Sequence, residues 1–577
     1  MQNLTARKAF WLLLLISVFT IIPFLGLSDF HTKGEPREAI VSYTMLSTGN
    51  WILPGNNGGE IAYKPPFFHW CIAAVSFLNN NQVTEATSRM PSAIGLIVMT
   101  VIGFLFLGRR KGVSVALLAA FITLTNFELH RAGVNCRVDM VLTALTVIAL
   151  YSFYRWYEKG LKGIPWAAII CMSLATLTKG PVGTLIPCLV TGVFLLLRGM
   201  NFFKAFSFLF LAGLASLLLP GLWYFAAYQQ GGKAFLDLIL EENVGRMTNT
   251  MSYDSCVNPW YYNLITLLSG YVPWVLLVLI SLFTLQYQKV SLKPLAWWNS
   301  LKDRIAKMES FDLFALTAIA VIFVFYCFPQ SKRSVYLMPI YPFIAYFLAK
   351  YILYLSKKHI QVLKLYGGIL AGISLLLFVT FLVVKQGLIP ETIFHGKHAG
   401  DNIDFLHAIQ QIGGFGTWTL VLLPTLLGLY WWLYSRKAVV DMLPFALVVI
   451  TMGLYLSLDG AYQPAVLNAK SDKPTATDIA RLIPPGHGNI YGFVASNLDT
   501  TGDFVRFFAI NFYIGNRIGD FYQKRPKDGY LLVGEEDAKR FLPEFEKEGY
   551  RFDFFYKAKK RGCDVKQVAE IYKFSKE

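Results

Sequence analysis

Two acids three residues apart, with a base between them, open the first polar loop of this chain: Glu35, Arg37 and Glu38, in the run SDFHTKGEPREAI. On a helix that spacing makes the two carboxylates neighbours on one face, and Lys33 sits beside them. A paired acid and base at a membrane surface suits removal of a proton from an acceptor hydroxyl next to an anionic lipid head group. The alternative for the same segment is a solvated amphipathic helix lying on the membrane. Further along the loop, Lys64 precedes Pro65 and Pro66, which keep it out of helical geometry and so fix its direction. The competing reading is an interfacial lysine with its stem along apolar surface. Arg246, in EENVGRM, and the pair Lys332 and Arg333 add positive charge suited to phosphate.

The elements that must position these groups lie in a membrane. Of 577 residues, 55% are hydrophobic, 15% aromatic and only 15% charged, with a mean hydropathy of +0.46. That is too apolar for a soluble globule and implies a polytopic α-helical membrane protein. At about 20 residues per span, about thirteen segments qualify: 9–28, 92–107, 113–127, 138–156, 164–178, 180–198, 204–228, 260–286, 311–328, 335–355, 364–384, 416–434 and 441–458. The first follows Arg7 and Lys8 but is longer than a signal-peptide core and has no small-residue cleavage site after it, so it reads as a retained anchor. The seven cysteines are far apart and form no CxxC pair, which points to neither a disulfide framework nor a zinc cluster. The net charge of +17 fits cytoplasmic anchoring and anionic membrane lipids as partners, with no nucleic acid.

Positive-inside bookkeeping assigns the basic clusters at 109–111, 155–162, 198–204, 289–307, 357–358 and 436–437 to the cytoplasm. They alternate correctly only if residues 67–78, a shorter apolar run carrying His69, do not cross. That run is expected to be an interfacial or re-entrant helix on the outer side. The outer face then receives the loops 29–91 and 229–258, Asp139 and Lys179 at helix ends, and Lys332 with Arg333. Charges at membrane depth are costly unless they serve a site or find partners, so one outward-facing polar cavity is the economical expectation. Residues 1–458 are expected to form the membrane domain and 459–577 a soluble α/β domain outside it. In that tail strand-like runs at 489–494, 530–533 and 567–574 alternate with helical ones at 475–482 and 535–548.

The ordered set GEPREAIVSYTML, GNWILP, YKPPFFHW, SRMPSAI, LTKGP, LPGLWYF, NVGRM, NPWYYNL with YVPW, and SKRSVYLMPIYP resembles the aminoarabinose transferase and protein mannosyltransferase superfamily. These are GT-C glycosyltransferases, which take sugar from a polyprenyl-phosphate donor. The resemblance covers roughly residues 9–355.

The resemblance implies a GT-C fold and roles for particular positions. Where the family has an Asp-Glu pair in the first outer loop, this chain has Gly34 and Glu35, so Glu35 is the carboxylate expected to take a proton, with Asp29 or Glu38 as substitutes. Lys64 matches a lysine that contacts the donor phosphate, with Tyr63 where an acid often precedes it. Arg246 and Tyr336 match positions that contact the lipid phosphate, and Asp139 and Lys179 match recurrent charged positions at helix ends. The family's histidine near an acid is replaced by Glu241, Glu242 and Asn243, which weakens the case for a divalent metal, and no other cofactor is implied. The expected activity is inverting transfer of sugar to a glycolipid, glycan or protein acceptor at the periplasmic face of a bacterial inner membrane. The rival from another class is a transporter or flippase for a lipid-linked sugar, although no internal repeat of the kind transporters show is visible.

Overall fold

The computed structural model describes residues 5–62, 64–245, 257–284, 302–396, 398–435, 442–495 and 506–577. A helix or a bent helix pair stands in each of the thirteen expected places. By length and composition, seven helices could cross a membrane: Ala6–Phe24, Glu85–Lys111, Val138–Glu158, Ser334–Lys358, Ile360–Lys385, Phe415–Tyr434 and Leu443–Lys470. Three pairs join them if each is one span, bent by 66° (Val113–Leu124 with Phe127–Gly133), 41° (Phe202–Ser216 with Leu218–Asn243) and 104° (Tyr262–Gly270 with Trp274–Leu282). Trp166–Lys179, Val182–Leu197 and Ser310–Phe325 occupy the remaining places. At 1.5 Å per residue even the 16 residues of Ser310–Phe325 reach only about 24 Å, short of the hydrocarbon thickness of about 30 Å. The apolar windows in the sequence had included flanking turns.

Local chemistry fixes where these helices begin and end. Thr84 and Thr87 form a reciprocal capping box that starts Glu85–Lys111, and Arg109, Arg110 and Lys111 complement the dipole at its other end. The Lys-Gly-Pro turn after Trp166–Lys179 works because Gly180 takes φ +94°, a conformation other residues rarely adopt. Three residues on, a Cβ at Gly183 would stand 2.4 Å from the carbonyl carbon of Ala175. Only glycine permits that close approach, which seats Val182–Leu197 against its neighbour and leaves Lys179 at the hairpin tip.

The helix Phe67–Phe77, with 11 residues, spans about 16 Å and is too short to cross. Its Phe68 and Ile72 pack on Cys136, Val138 and Val141, the start of the helix that carries Asp139.

The C-terminal domain holds a five-stranded sheet in the order β2-β1-β3-β5-β4, with β1 Ile490–Phe493, β2 Ile518–Asp520, β3 Asp528–Gly534, β4 Tyr550–Arg561 and β5 Val568–Lys576. The first three are mutually parallel, and β5 runs antiparallel to both β3 and β4. The helix Glu535–Lys547 packs Phe541, Leu542 and Phe545 onto one face with Phe493, Leu531 and Val533. The domain is tied to the first polar loop and to the start of Glu85–Lys111: Tyr513 Oη accepts from the Phe30 amide (2.8 Å) and donates to Glu85 (2.8 Å), and Lys473 bridges Asp29 (2.8 Å) and Glu85 (2.9 Å).

Candidate active site

The loop that carried the first chemical signal folds into a helix, Gly34–Thr48. Glu35 lies in its first turn, where the dipole favours an acid, and Pro36 suits a helix start. Gly49 closes it at φ +73°. The helix is not a solvated one lying on a surface: Glu35 is 1% exposed and Glu38 4%. Each acid has its own set of partners.

Glu35 is engaged through both oxygens. Arg89 donates from Nε to Oε1 at 2.8 Å and from Nη2 to Oε2 at 3.0 Å, and the Cys136 amide donates to Oε1 at 2.9 Å. Arg89 in turn donates to the carbonyls of Leu25 (2.8 Å) and Ser28 (2.6 Å). Burial opposes the charge on Glu35, but Arg89 leads the attractions that hold its carboxyl below the usual range.

Glu38 faces a different group. Lys64 Nζ donates to Oε1, Arg37 reaches the same oxygen at 3.3 Å, and His69 Nε2 lies 2.9 Å from Oε2. Burial works against ionisation here too. The combined pull of Lys64, His69 and Arg37 nevertheless holds the carboxyl well below the ordinary value. Burial lowers the Lys64 ammonium to about 8, against the opposing pull of Glu38, while 19% of its side chain stays exposed.

The site widens through charge. Asp139, buried in the first turn of Val138–Glu158, is close enough to act on Lys64 and accepts a hydrogen bond from Lys179. Lys179 lies over the Tyr336 ring, 4.5 Å from its centroid, and Tyr336 stacks on Tyr326 at 5.2 Å. Arg137, two residues before Asp139, is half-buried. A Cβ at Gly34 would sit 3.2 Å from its guanidinium carbon. Among the described residues that guanidinium has no hydrogen-bonded or ion-paired acceptor. The group therefore assembles Arg37, Lys64, Arg137 and Lys179 around two carboxylates, Glu38 and Asp139. The excess is positive, which suits an anionic ligand.

Of the residues singled out in the sequence, Glu38, Arg37, Lys64, Asp139, Lys179 and Tyr336 come together, and Glu35 lies one turn away on Arg89. Lys332 is buried and donates to the Asn258 carbonyl at 3.3 Å, and Arg333 is exposed at the start of Ser334–Ile340. Of the two, Arg333 touches the group through its backbone, its carbonyl accepting from the Tyr336 amide at 3.1 Å. Arg246 lies outside the described residues. Sequence reasoning missed three participants. Arg89 stood in a quoted motif without a role, and an arginine just before an apolar span was its signal. His69 was noted only as a polar residue in a short apolar run, and Arg137 carried no mark beyond its place beside Asp139.

A divalent metal does not fit this group. The Glu38 carboxylate is already taken by three cationic or hydrogen-bonding side chains, and Asn243 stands against Gly180, its Oδ1 2.8 Å from where a Cβ there would be. Among the described residues, three metal-type ligands lie within reach of one another only at Asp472, Cys563 and Asp564, in the C-terminal domain.

Comparison with known proteins bears on the fold and on the kind of relatives the chain has. The family described as dolichyl-phosphate-mannose-protein mannosyltransferase matches residues 63–224, which include Lys64, Asp139 and Lys179. The crystal structure of ArnT from Cupriavidus metallidurans bound to undecaprenyl phosphate superimposes with a TM-score of 0.69 over 98% of this chain and 97% of that one, at 17% identity. An undecaprenyl phosphate-alpha-4-amino-4-deoxy-L-arabinose arabinosyl transferase of Edwardsiella ictaluri is 23% identical over 423 residues, 71% of this chain and 70% of the relative. An uncharacterized protein of Aquifex aeolicus is 26% identical over 387 residues, 66% of this chain and 72% of its own. The chain thus has the GT-C fold, with a C-terminal sheet domain, as the motifs implied. In sequence it is similar to the aminoarabinose transferases over most of its length.

Proposed function

We propose that this protein is an integral-membrane glycosyltransferase that moves a sugar from a polyprenyl-phosphate donor to an envelope acceptor: a glycolipid, a glycan or a protein hydroxyl. The observation that carries the reading is the excess of fixed positive charge around Glu38 and Asp139 on the loops assigned to the outer face. Topology and the bacterial relatives support a multi-pass inner-membrane protein with residues 1–458 as the membrane domain. In that reading the site and the domain 459–577 face the periplasm.

Lys64 and Arg137 hold the donor phosphate, and Lys179 and Tyr336 border it; Lys332 and Arg333, and by the family resemblance Arg246, supply further positive charge for the lipid phosphate. The acceptor oxygen attacks the anomeric carbon from the side opposite the phosphate, with inversion. The carbon–oxygen bond to phosphate breaks and its electron pair leaves with the polyprenyl phosphate, whose charge the cations stabilise in the transition state. Glu38 takes the acceptor's proton. Its low proton affinity in the free protein comes first from Lys64 among its attractive partners, so a donor phosphate that draws Lys64 away raises that affinity when it is needed. An acceptor that is itself an ionised phosphate requires no proton transfer. Glu35, with both oxygens on Arg89, holds the helix that presents Glu38.

The transporter reading would place its ligand at a broken span; in the most sharply bent pair, Tyr262–Gly270 with Trp274–Leu282, the connecting residues 271–273 are Tyr, Val and Pro and carry no charge. The test is a proteoliposome assay with labelled undecaprenyl-phosphate sugars. Release of unsubstituted undecaprenyl phosphate with label on an acceptor supports transfer, whereas intact donor appearing in the opposite leaflet contradicts it.

A further inference from the structure

One short run of the chain, from Lys64 through Pro65 and Pro66 to His69, delivers two partners to a single carboxylate. They take opposite oxygens of Glu38: Lys64 Nζ donates to Oε1, and His69 Nε2 lies 2.9 Å from Oε2. Glu38 is ionised, so it has no proton to give and Nε2 is the donor. The other ring nitrogen, Nδ1, is buried and has no partner among the described residues. The hydrogen bonding of this imidazole is therefore spent on Glu38.

The two grips differ in how firmly they are fixed. Lys64 and Arg37, which share Oε1, carry flexible side chains that stay partly exposed. The His69 side chain is 1% exposed, and its backbone is held as well. Ser42 stands one turn after Glu38 on the same helix face, and its hydroxyl donates to the His69 carbonyl at 3.2 Å. Phe68 and Ile72 anchor the short helix from its other side on Cys136, Val138 and Val141. A ligand phosphate can draw the cations from Oε1, whereas the donor on Oε2 has nowhere to go.

We propose that His69 is a positioning residue for transfer: it holds Oε2 of Glu38 so that Oε1, once Lys64 turns to the donor phosphate, is the oxygen that takes the acceptor's proton. The proposal rests on the glycosyltransferase reading above. The acceptor O–H bond breaks as its oxygen bonds the anomeric carbon, the proton goes to Oε1, and the electron pair of the broken carbon–oxygen bond leaves with the phosphate. His69 neither gains nor loses a proton, because the nitrogen that faces Glu38 already carries one. Proton transfer needs the two oxygens within hydrogen-bond reach, and a carboxylate free to swing on its stem would lose that alignment.

The test uses the full-length protein in nanodiscs, undecaprenyl phosphate carrying a labelled sugar as donor, and an envelope extract as acceptor. His69→Leu keeps the bulk but removes the N–H, and should lower turnover at saturating donor about 100-fold while the donor KM moves less than about twofold. His69→Gln places an amide N–H at the reach of Nε2 and should return most of the lost turnover. His69→Asn, one carbon shorter, should not. Thermal midpoints show which variants are folded, and the Gln and Asn pair, alike in polarity, decides the matter if His69→Leu is not.

Infrared titration of the Glu38 carboxyl, assigned by its loss in Glu38→Gln, reads the contact without turnover. Against burial, Lys64 and then the hydrogen bond from His69 hold that carboxyl low, with Arg37 adding to them. Its protonated band should appear at higher pH in His69→Leu and not in His69→Gln. Wild-type turnover in His69→Leu, a Gln variant as slow as the Asn one, an unmoved carboxyl titration, or lost stability with turnover intact would overturn the positioning role. Donor left intact by the wild-type protein would overturn the glycosyltransferase reading instead, with the titration still reporting whether His69 holds Glu38.

Discussion

Glu35 and Arg89 meet through two parallel hydrogen bonds of 2.8 and 3.0 Å, with both side chains buried. The pair joins the start of the helix that presents Glu38 to the second long membrane helix. Breaking a buried pair by removing one partner leaves an uncompensated charge and costs about 3–5 kcal/mol. Arg89→Ala should therefore lower the thermal midpoint sharply and reduce the folded yield. Glu35→Gln, which keeps one acceptor oxygen, should lose less stability and retain measurable transfer. Normal stability with complete loss of transfer in Glu35→Gln would return the proton-taking role to Glu35.

The Lys64 ammonium, lowered to about 8 by burial, loses its charge as pH rises through that value. If that charge holds the donor phosphate, kcat/KM should fall on the alkaline side with a midpoint near pH 8. Lys64→Arg keeps its charge at all working pH values, so whatever its absolute rate, its alkaline limb should vanish. An unshifted limb in Lys64→Arg would assign it to another group.

Glu38 has a carboxyl held well below its ordinary value. Its contribution to stability is fully present above the unfolded carboxylate value of about 4.3 and is lost as pH falls toward the depressed folded one. Acid unfolding of wild type followed by circular dichroism should accordingly steepen below about pH 4.3, and Glu38→Gln should flatten that part of the curve.

Gly34 stands where the resemblance implies an aspartate, and its contact with Arg137 makes that difference testable. A carboxylate at position 34 would meet the Arg137 guanidinium, since even a Cβ there lies 3.2 Å from its carbon. Gly34→Asp should neutralise Arg137 and raise the donor KM about tenfold. Arg137→Ala should raise it similarly, and the double variant should be no worse than either. Additive losses in the double variant would mean that the two positions act separately.

Much of this architecture was legible in the sequence because hydropathy and loop charge are strong, local signals: each expected span is matched by a helix or a bent pair, and the tail's sheet and its helix 535–548 stand where alternation placed them. The sheet's second and fourth strands escaped notice for physical reasons: Ile518–Asp520 is only three residues long, too short to show a period. Tyr550–Arg561 is an edge strand with half of its residues exposed and several lysines, which is how edges avoid pairing with other chains, and that composition hides the period-two pattern. The site was legible in its members more than in its pairings. Glu35 and Glu38 share a helix face as their spacing required, but their partners Arg89, Lys64 and His69 are 54, 26 and 31 residues away. No local pattern encodes a contact made by tertiary packing.

The most direct measurement of the central claim is single-turnover transfer by purified protein in nanodiscs, using undecaprenyl phosphate carrying a labelled sugar and an envelope extract as acceptor. The account predicts label on an acceptor, one undecaprenyl phosphate released per sugar moved, and a rate lower by about 100- to 1,000-fold in Lys64→Ala. Transfer by Lys64→Ala at the wild-type rate, or donor that stays intact across a panel of sugars, would contradict it.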